Sequence, residues 1–333
     1  MSDRRFGLAL IGYGYIGREL ARLLAAKRAG WQRQYGVDLY LAAAAGRSWS
    51  RLAGPGQALD PDRLPESGRL VDRAALLESD EVRIWVEATP TNLETGEPGL
   101  SYLREALRRG KHAVVLTKGP LVLDLPGLLA LARASGVGLR FSGATAAALP
   151  TIDVATYSLA GMTVESFAGI LNGTTNYILT CMANGGLTYQ AALAEARARG
   201  IAEADPRLDV EGWDTAAKTL ILANAILGAG LTLDQVRREG IADLTPQAVA
   251  AASEQRAVVK LVGEARRCAD RVEVTVAPRK LPADHLLAGV SGTNKGIIFQ
   301  TAEMGEIAVI GGGSDPRAAA AAALKDCLNI ATR

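Results

Sequence analysis

This sequence predicts an α/β fold, a doubly wound parallel sheet with a second α/β domain inserted before the chain returns, and three observations carry that prediction. Phe6–Ile11 is an apolar run of strand length that meets Gly12, Gly14 and Gly17 and then a helical pattern. Strand and helix patterns alternate up to about Phe141 and then lose their rhythm, as expected where a second domain begins. Near the end, Glu306–Ile310 reads as a strand leading into an alanine-rich helix.

Each element follows from its residues. After the first strand, Gly12 makes the tight turn, Gly14 lets backbone approach a pyrophosphate, and Gly17 allows the helix to pack closely on the strand. Ile16, Leu20, Leu23 and Leu24 recur at helical spacing, so free N–H groups at that helix start would face the phosphates, with Tyr15 and Ile16 lining the approach. The next strand is Leu39–Ala45. Asp38 stands at its wrong end for a ribose ligand, whereas Arg47 follows its C-terminal edge without a carboxylate, which favours a 2′-phosphate and therefore NADP, with NAD possible. Gly54–Gly68, rich in Pro, Asp and Gly, is a surface loop.

Val82–Ala88 is a strand whose end presents Thr89 and Pro90 at the carboxyl edge of the sheet, where ligands of such sheets bind. Ser101–Arg109 is helical, Lys111–Leu116 is a strand, and Lys118 lies just beyond it; by position alone it is equally a solvent lysine or a site residue. Phe167–Leu171 reads as a strand, Asn172–Asn176 as a polar turn and Ala191–Arg199 as a helix. The final helix runs from Arg317, with Asp315 or Ser314 as its cap and Pro316 in its first turn; the run Ala318–Ala323 is read as a buried helix face.

The composition bounds the function. With a net charge of +2, scattered basic residues and 5% aromatics, the chain has no footprint of a nucleic-acid binder. It has no apolar stretch of membrane length and no signal-peptide core, which predicts a cytoplasmic protein. Cys181, Cys268 and Cys327 are odd in number and widely spaced, as reduced structural thiols would be, and His112 and His285 stand alone, so no metal is expected.

Gly200–Lys218 holds five carboxylates and one lysine. A helix is expected from the Pro206 turn, with Asp214 and Lys218 sharing one face and Glu203 and Asp209 on the loop before it. Such an i,i+4 pair is ordinarily a solvated ion pair worth about 0.3–0.5 kcal/mol. In a chain that binds a redox cofactor elsewhere, it is also a place for a small zwitterion.

Taken with Val86–Asn92, Gly96–Pro98, Gly110–His112, Lys118–Pro120, Ile170–Leu179 and Val290–Asn294, these motifs resemble the homoserine dehydrogenases, in the short form without an appended regulatory domain. The resemblance implies a Rossmann dinucleotide-binding domain from residues 1–140 plus 305–333, and a substrate-binding and dimerisation domain from 141–304. It implies reversible reduction of L-aspartate 4-semialdehyde to L-homoserine, in threonine and methionine biosynthesis, by a cytoplasmic homodimer. Lys218 would be the proton donor and Lys118 its assistant near the nicotinamide. Glu203, Asp209 and Asp214 would hold the ammonium and hydroxyl ends of a small amino-acid substrate, and Gly173 and Thr174 its carboxylate. The cofactor-binding set would be Gly12, Gly14, Tyr15, Ile16, Gly17, Arg47, Thr89, Pro90 and Lys118. A lysine serves as acid and base best when desolvation or a like charge lowers its pKa from about 10.4.

Two departures stand out. Where the family has an asparagine before the lysine this chain has Thr117, and where it often has an acidic residue in a cation-holding segment this chain has Ser142. A dehydrogenase of a related hydroxy amino acid, or a nucleotide sensor without catalysis, stay open as alternatives.

Overall fold

The computed structural model describes residues 4–313 and 315–332, and the chain forms two compact units, residues 1–144 with 315–333 and residues 145–314. The first carries a seven-stranded sheet. Its strands are β1 (Arg4–Ile11), β2 (Val37–Ala45), β3 (Ser50–Leu52), β4 (Arg69–Leu70), β5 (Val82–Glu87), β6 (His112–Val115) and β7 (Leu139–Arg140), in the order β4-β3-β2-β1-β5-β6-β7. The five from β2 to β7 in that order are parallel, and β3 and β4 run antiparallel at one edge. Leu8, Leu10, Ile84 and Trp85 are fully buried, and every residue of β2 is buried, the continuous apolar signature of a sheet covered on both faces.

Helices Tyr15–Tyr35 and Pro316–Thr332 pack on each other in this unit. The alanine run lets them approach: Ala319, Ala320, Ala322 and Ala323 are buried. Asp315 caps the last helix, its carboxylate accepting from the N–H of Ala318 at 2.8 Å; the alternative cap, Ser314, lies outside the described residues.

The second unit holds a six-stranded sheet of β8 (Val164–Ile170), β9 (Arg237–Arg238), β10 (Ala257–Cys268), β11 (Arg271–Pro282), β12 (Lys295–Thr301) and β13 (Gly305–Gly311), in the order β13-β12-β8-β10-β11-β9. The antiparallel hairpin β10–β11 is its longest pairing, and sequence periodicity does not reveal it. A core of Ile170, Val262, Leu281, Leu287, Val290 and Ile298 lies on this sheet. Because β13 pairs antiparallel with β12 along its whole length, the second boundary falls at 314/315 rather than 304/305.

One local expectation is corrected. Pro206 does not open a single helix: Arg207–Val210 is a short helix, Gly212 adopts φ 84°, and a second helix runs from Trp213 to Leu222. Left-handed backbone favours glycine, and a Cβ at 212 would also press on the Glu239 carbonyl at 3.3 Å. Asp209 therefore sits on the short helix, not on a loop. No helix among the described residues is long and apolar enough to cross a membrane.

Candidate functional site

In the first unit, a cleft of about 780 Å³ opens at the carboxyl ends of β1, β2 and β5. The glycine turn forms one wall, and each glycine has a separate reason. At Gly12, with φ 108°, a Cβ would lie 2.0 Å from the Ala88 carbonyl oxygen; at Gly17 it would lie 2.2 Å from that of Gly12. At Gly14 it would meet nothing within 4 Å, so the missing side chain leaves open space over the start of the helix Tyr15–Tyr35. The N–H groups there have no intrahelical partner. Space at Gly14 and backbone contact on either side are what a bound pyrophosphate requires, so the residues fit a dinucleotide.

Tyr15, Ile16, Arg47, Thr89 and Pro90 line the same cleft. Arg47 is exposed at the end of β2. Beside it, Arg73 donates to the Gly46 carbonyl at 2.7 Å and to the Tyr102 hydroxyl. Asp38, at the other end of β2, is buried and held by Arg28 at 2.6 Å and Arg5 at 3.2 Å, with the Arg28 hydrogen bond lowering its pKa. It is structural.

Below the cleft, Glu87 ends β5 with no exposed surface. It accepts from the Thr89 N–H at 2.8 Å and from the Thr89 and Thr117 hydroxyls, while burial pushes its carboxyl pKa up. Thr117, in place of the family's asparagine, thus spends its O–H on Glu87. Half-buried Lys118 starts the helix Gly119–Ala134, whose first residue packs so tightly on the Asn92 carbonyl that a Cβ would lie 2.1 Å from its oxygen. That contact explains why the Thr-Pro-Thr-Asn and Lys-Gly-Pro motifs occur together. Ser142 has its own carboxylate partner, donating through N–H at 2.9 Å and Oγ at 2.8 Å to buried Asp326.

The second unit gathers a polar cluster where β8 ends. Asn172 caps the helix Gly173–Gly185: its Oδ1 accepts from the Thr175 N–H at 2.9 Å. Its Nδ2 donates to Asp209 at 2.7 Å and to Asp214 at 2.8 Å. Lys218 donates to Asp214 at 2.6 Å and to the Leu171 carbonyl at 2.9 Å. Lys218 and Asp214 side chains are only 14% and 12% exposed, which sets this pair apart from a solvated surface bridge. Burial, and after it the nearby charge of Asp214, pushes the Asp209 pKa up; the hydrogen bond from Asn172 and the Lys218 charge oppose that.

Gly173 and Thr174 open the helix, and the Thr174 hydroxyl donates to the Ile201 carbonyl at 3.2 Å. Glu203 is exposed and its carboxylate makes no hydrogen bond or ion pair among the described residues, so it is not drawn into the cluster. Asn172 is the residue that reading the sequence missed. Its signal was an asparagine between a strand end and a glycine, the position of a helix cap. The histidines are locally engaged: His112 Nδ1 accepts from the Gly138 N–H at 2.9 Å and His285 Nδ1 from that of Leu287 at 3.1 Å.

The chain is similar to known proteins over nearly its full length. Residues 150–328 match the family model described as homoserine dehydrogenase. An NAD(+)-dependent homoserine dehydrogenase of Pseudomonas canavaninivorans is 38% identical over 98% of this chain and 96% of that one. A homoserine dehydrogenase of Methanocaldococcus jannaschii is 36% identical over 97% and 98%. The crystal structure of a homoserine dehydrogenase from Thiobacillus denitrificans superposes with a TM-score of 0.87 at 28% identity, over 98% of this chain and 73% of that one. A Rossmann-type first unit, a dinucleotide-shaped glycine turn and near full-length kinship together place this chain in the homoserine dehydrogenases, a family of NAD(P)-dependent oxidoreductases.

Proposed function

We propose that this protein interconverts L-homoserine and L-aspartate 4-semialdehyde, with NADP as its preferred partner, as a cytoplasmic homodimer serving threonine and methionine synthesis. The carrying observation is the cluster of Asn172, Asp209, Asp214 and Lys218. Two aspartates and one lysine leave a single negative charge, which the α-ammonium of an amino acid balances. The N–H groups of Gly173 and Thr174, at a helix start, suit its carboxylate. Glu203 serves as a further, exposed carboxylate for the ammonium.

Gly12, Gly14, Tyr15, Ile16, Gly17, Thr89 and Pro90 would hold the dinucleotide, whose nicotinamide supplies or accepts the hydride. Lys218 spends two of its three N–H donors on Asp214 and Leu171, and its third serves the substrate oxygen. As the aldehyde is reduced, Lys218 gives that oxygen a proton; the adjacent Asp214 charge then favours recovery of the ammonium form. Lys118 would assist proton handling near the nicotinamide. Preference for NADP is supported by Arg47 at the end of β2 and by the engagement of Asp38 elsewhere.

Following reduced-nicotinamide absorbance with homoserine, threonine and longer homologues, and with each oxidised cofactor, tests the whole reading. Homoserine with NADP should be fastest, and no turnover of homoserine ends the proposal. Arg47→Asp should weaken NADPH by about tenfold or more while changing NADH little, a difference of ~1.4 kcal/mol. Equal losses for both would contradict the 2′-phosphate reading, and the NAD(+)-dependence of the Pseudomonas relative makes that arm informative.

A further inference from the structure

Asn172 does more than cap a helix. Its side-chain amide has four hydrogen-bonding positions, two lone pairs on Oδ1 and two hydrogens on Nδ2. All four are used. Oδ1 faces the Thr175 N–H at 2.9 Å and the Thr175 hydroxyl at 3.1 Å, and Nδ2 faces Asp209 at 2.7 Å and Asp214 at 2.8 Å. A flipped amide would aim NH2 at a backbone N–H and oxygen at two carboxylates, so only one orientation is possible. The residue is 5% exposed, and no water need complete its shell.

This saturation matters because of what the amide separates. Asp209 and Asp214 come from different helices, and Asp214 is 9% exposed. Like charges in a poorly solvated site raise one another's pKa, and an acceptor-only neighbour would worsen this. Of the two aspartates, Lys218 on the second helix forms its ion pair with Asp214. Asp209 depends on a neutral donor, the Asn172 amide at the cap of the helix Gly173–Gly185, with Lys218 a weaker favourable charge.

We propose that Asn172 is a positioning residue for substrate: its amide bridges Asp209 and Asp214 and fixes the distance across which the substrate ammonium is held. The inference rests on the reading of this cluster as the substrate site. The amide touches neither hydride nor transferred proton, so its loss should fall on KM and on the acid limb of the pH profile, leaving cofactor affinity unchanged.

Asn172→Ser tests this, because serine is as good a helix cap as asparagine but cannot donate to two carboxylates. Expected results are a KM for homoserine raised about tenfold at pH 7, an acid limb of kcat/KM moved up by roughly one unit, and NADPH affinity within about twofold of the parent. A KM and acid limb equal to the parent's would overturn the proposal. Should the serine variant fail to fold, Asn172→Asp retains a capping oxygen and adds a third carboxylate; its acid limb should move further up, and a parental profile there would equally overturn the idea. Asp214→Asn, assayed in parallel, separates the two levels. If it leaves kcat/KM intact, the substrate site itself is misplaced and the Asn172 proposal falls with it. If it is crippled while Asn172→Ser behaves as the parent, only the role of Asn172 is wrong.

Discussion

The two units build their candidate sites from different material. In the first, the features that shape the cleft are backbone: three glycines within six residues, two of them excluded from carrying a Cβ by carbonyls about 2 Å away and one left open. In the second, the site is side chains drawn from the end of β8, a four-residue helix and the helix after it, bound together by one amide. A backbone site is rigid once its strand and helix form. A side-chain site holding one buried and one half-buried carboxylate depends on every partner being present, because each unpaired charge would be costly. Sensitivity to mutation should therefore differ in kind, affecting fold and cofactor affinity in one unit and chemistry and pH response in the other.

The largest expected effect tests the second unit. Lys218→Met should lower kcat by about 10²–10⁴-fold, the usual contribution of a positioned acid–base group, with NADPH affinity unaltered. If turnover stays within a small factor of the parent, the buried Asp214–Lys218 pair is only structural.

A paired substitution probes the first unit. Gly17→Ala places its Cβ 2.2 Å from the Gly12 carbonyl oxygen and should cost on the order of 2–4 kcal/mol of stability, seen as a lower melting temperature and urea midpoint. Gly14→Ala meets no atom, and its φ of −82° suits an L-residue, so it should melt like the parent yet bind NADPH at least about tenfold more weakly. Equal melting losses for the two would erase the distinction between packing and ligand glycines.

The smallest effect concerns the polar interior of the second unit. Lys260 is 4% exposed; its ammonium meets the Asn176 Oδ1 at 3.0 Å and the Val290 carbonyl at 2.6 Å, and burial lowers its pKa to about 8. Unfolded, it titrates near 10.4. Between those values the unfolded chain binds more protons than the folded one, so stability attributable to Lys260 rises with pH from about 8 to 10.4, and the burial penalty is fully present below 8. The span is at most ~3 kcal/mol. Urea midpoints of the parent and of Lys260→Met, compared at pH 7.5 and pH 10, should draw apart in the parent's favour as pH rises. A gap independent of pH would mean that the lysine is solvated after all.

Legibility in the sequence follows the same division. Strands β1, β2, β5 and β6, the helix after the glycine turn and the last helix were readable because each is a continuous run with a local apolar period and a glycine or proline at its border. The hairpin β10–β11 was not: its strands mix Glu, Arg and Lys with Val, and one face alternates only once the sheet partner is known. For the site, the spacing of Asp214 and Lys218 announced their ion pair, since four residues on a helix is a local distance. Asp209 was placed on a loop because the left-handed turn at Gly212 is specified by what packs on it, the Glu239 carbonyl and Val276, not by its neighbours in sequence.

By itself, the sequence determined the fold class, the glycine turn, the position of Arg47 and the i,i+4 pair, all features whose causes lie within a few residues of chain. Tertiary structure alone decided that β13 belongs to the second sheet, that Asp38 is consumed by Arg28 and Arg5, and that Asp209 and Asp214 share the Asn172 amide while Glu203 stays exposed. Burial and charge pairing are properties of what surrounds a group in space, and those surroundings come from segments up to 42 residues apart along the chain in the Asn172–Asp214 contact.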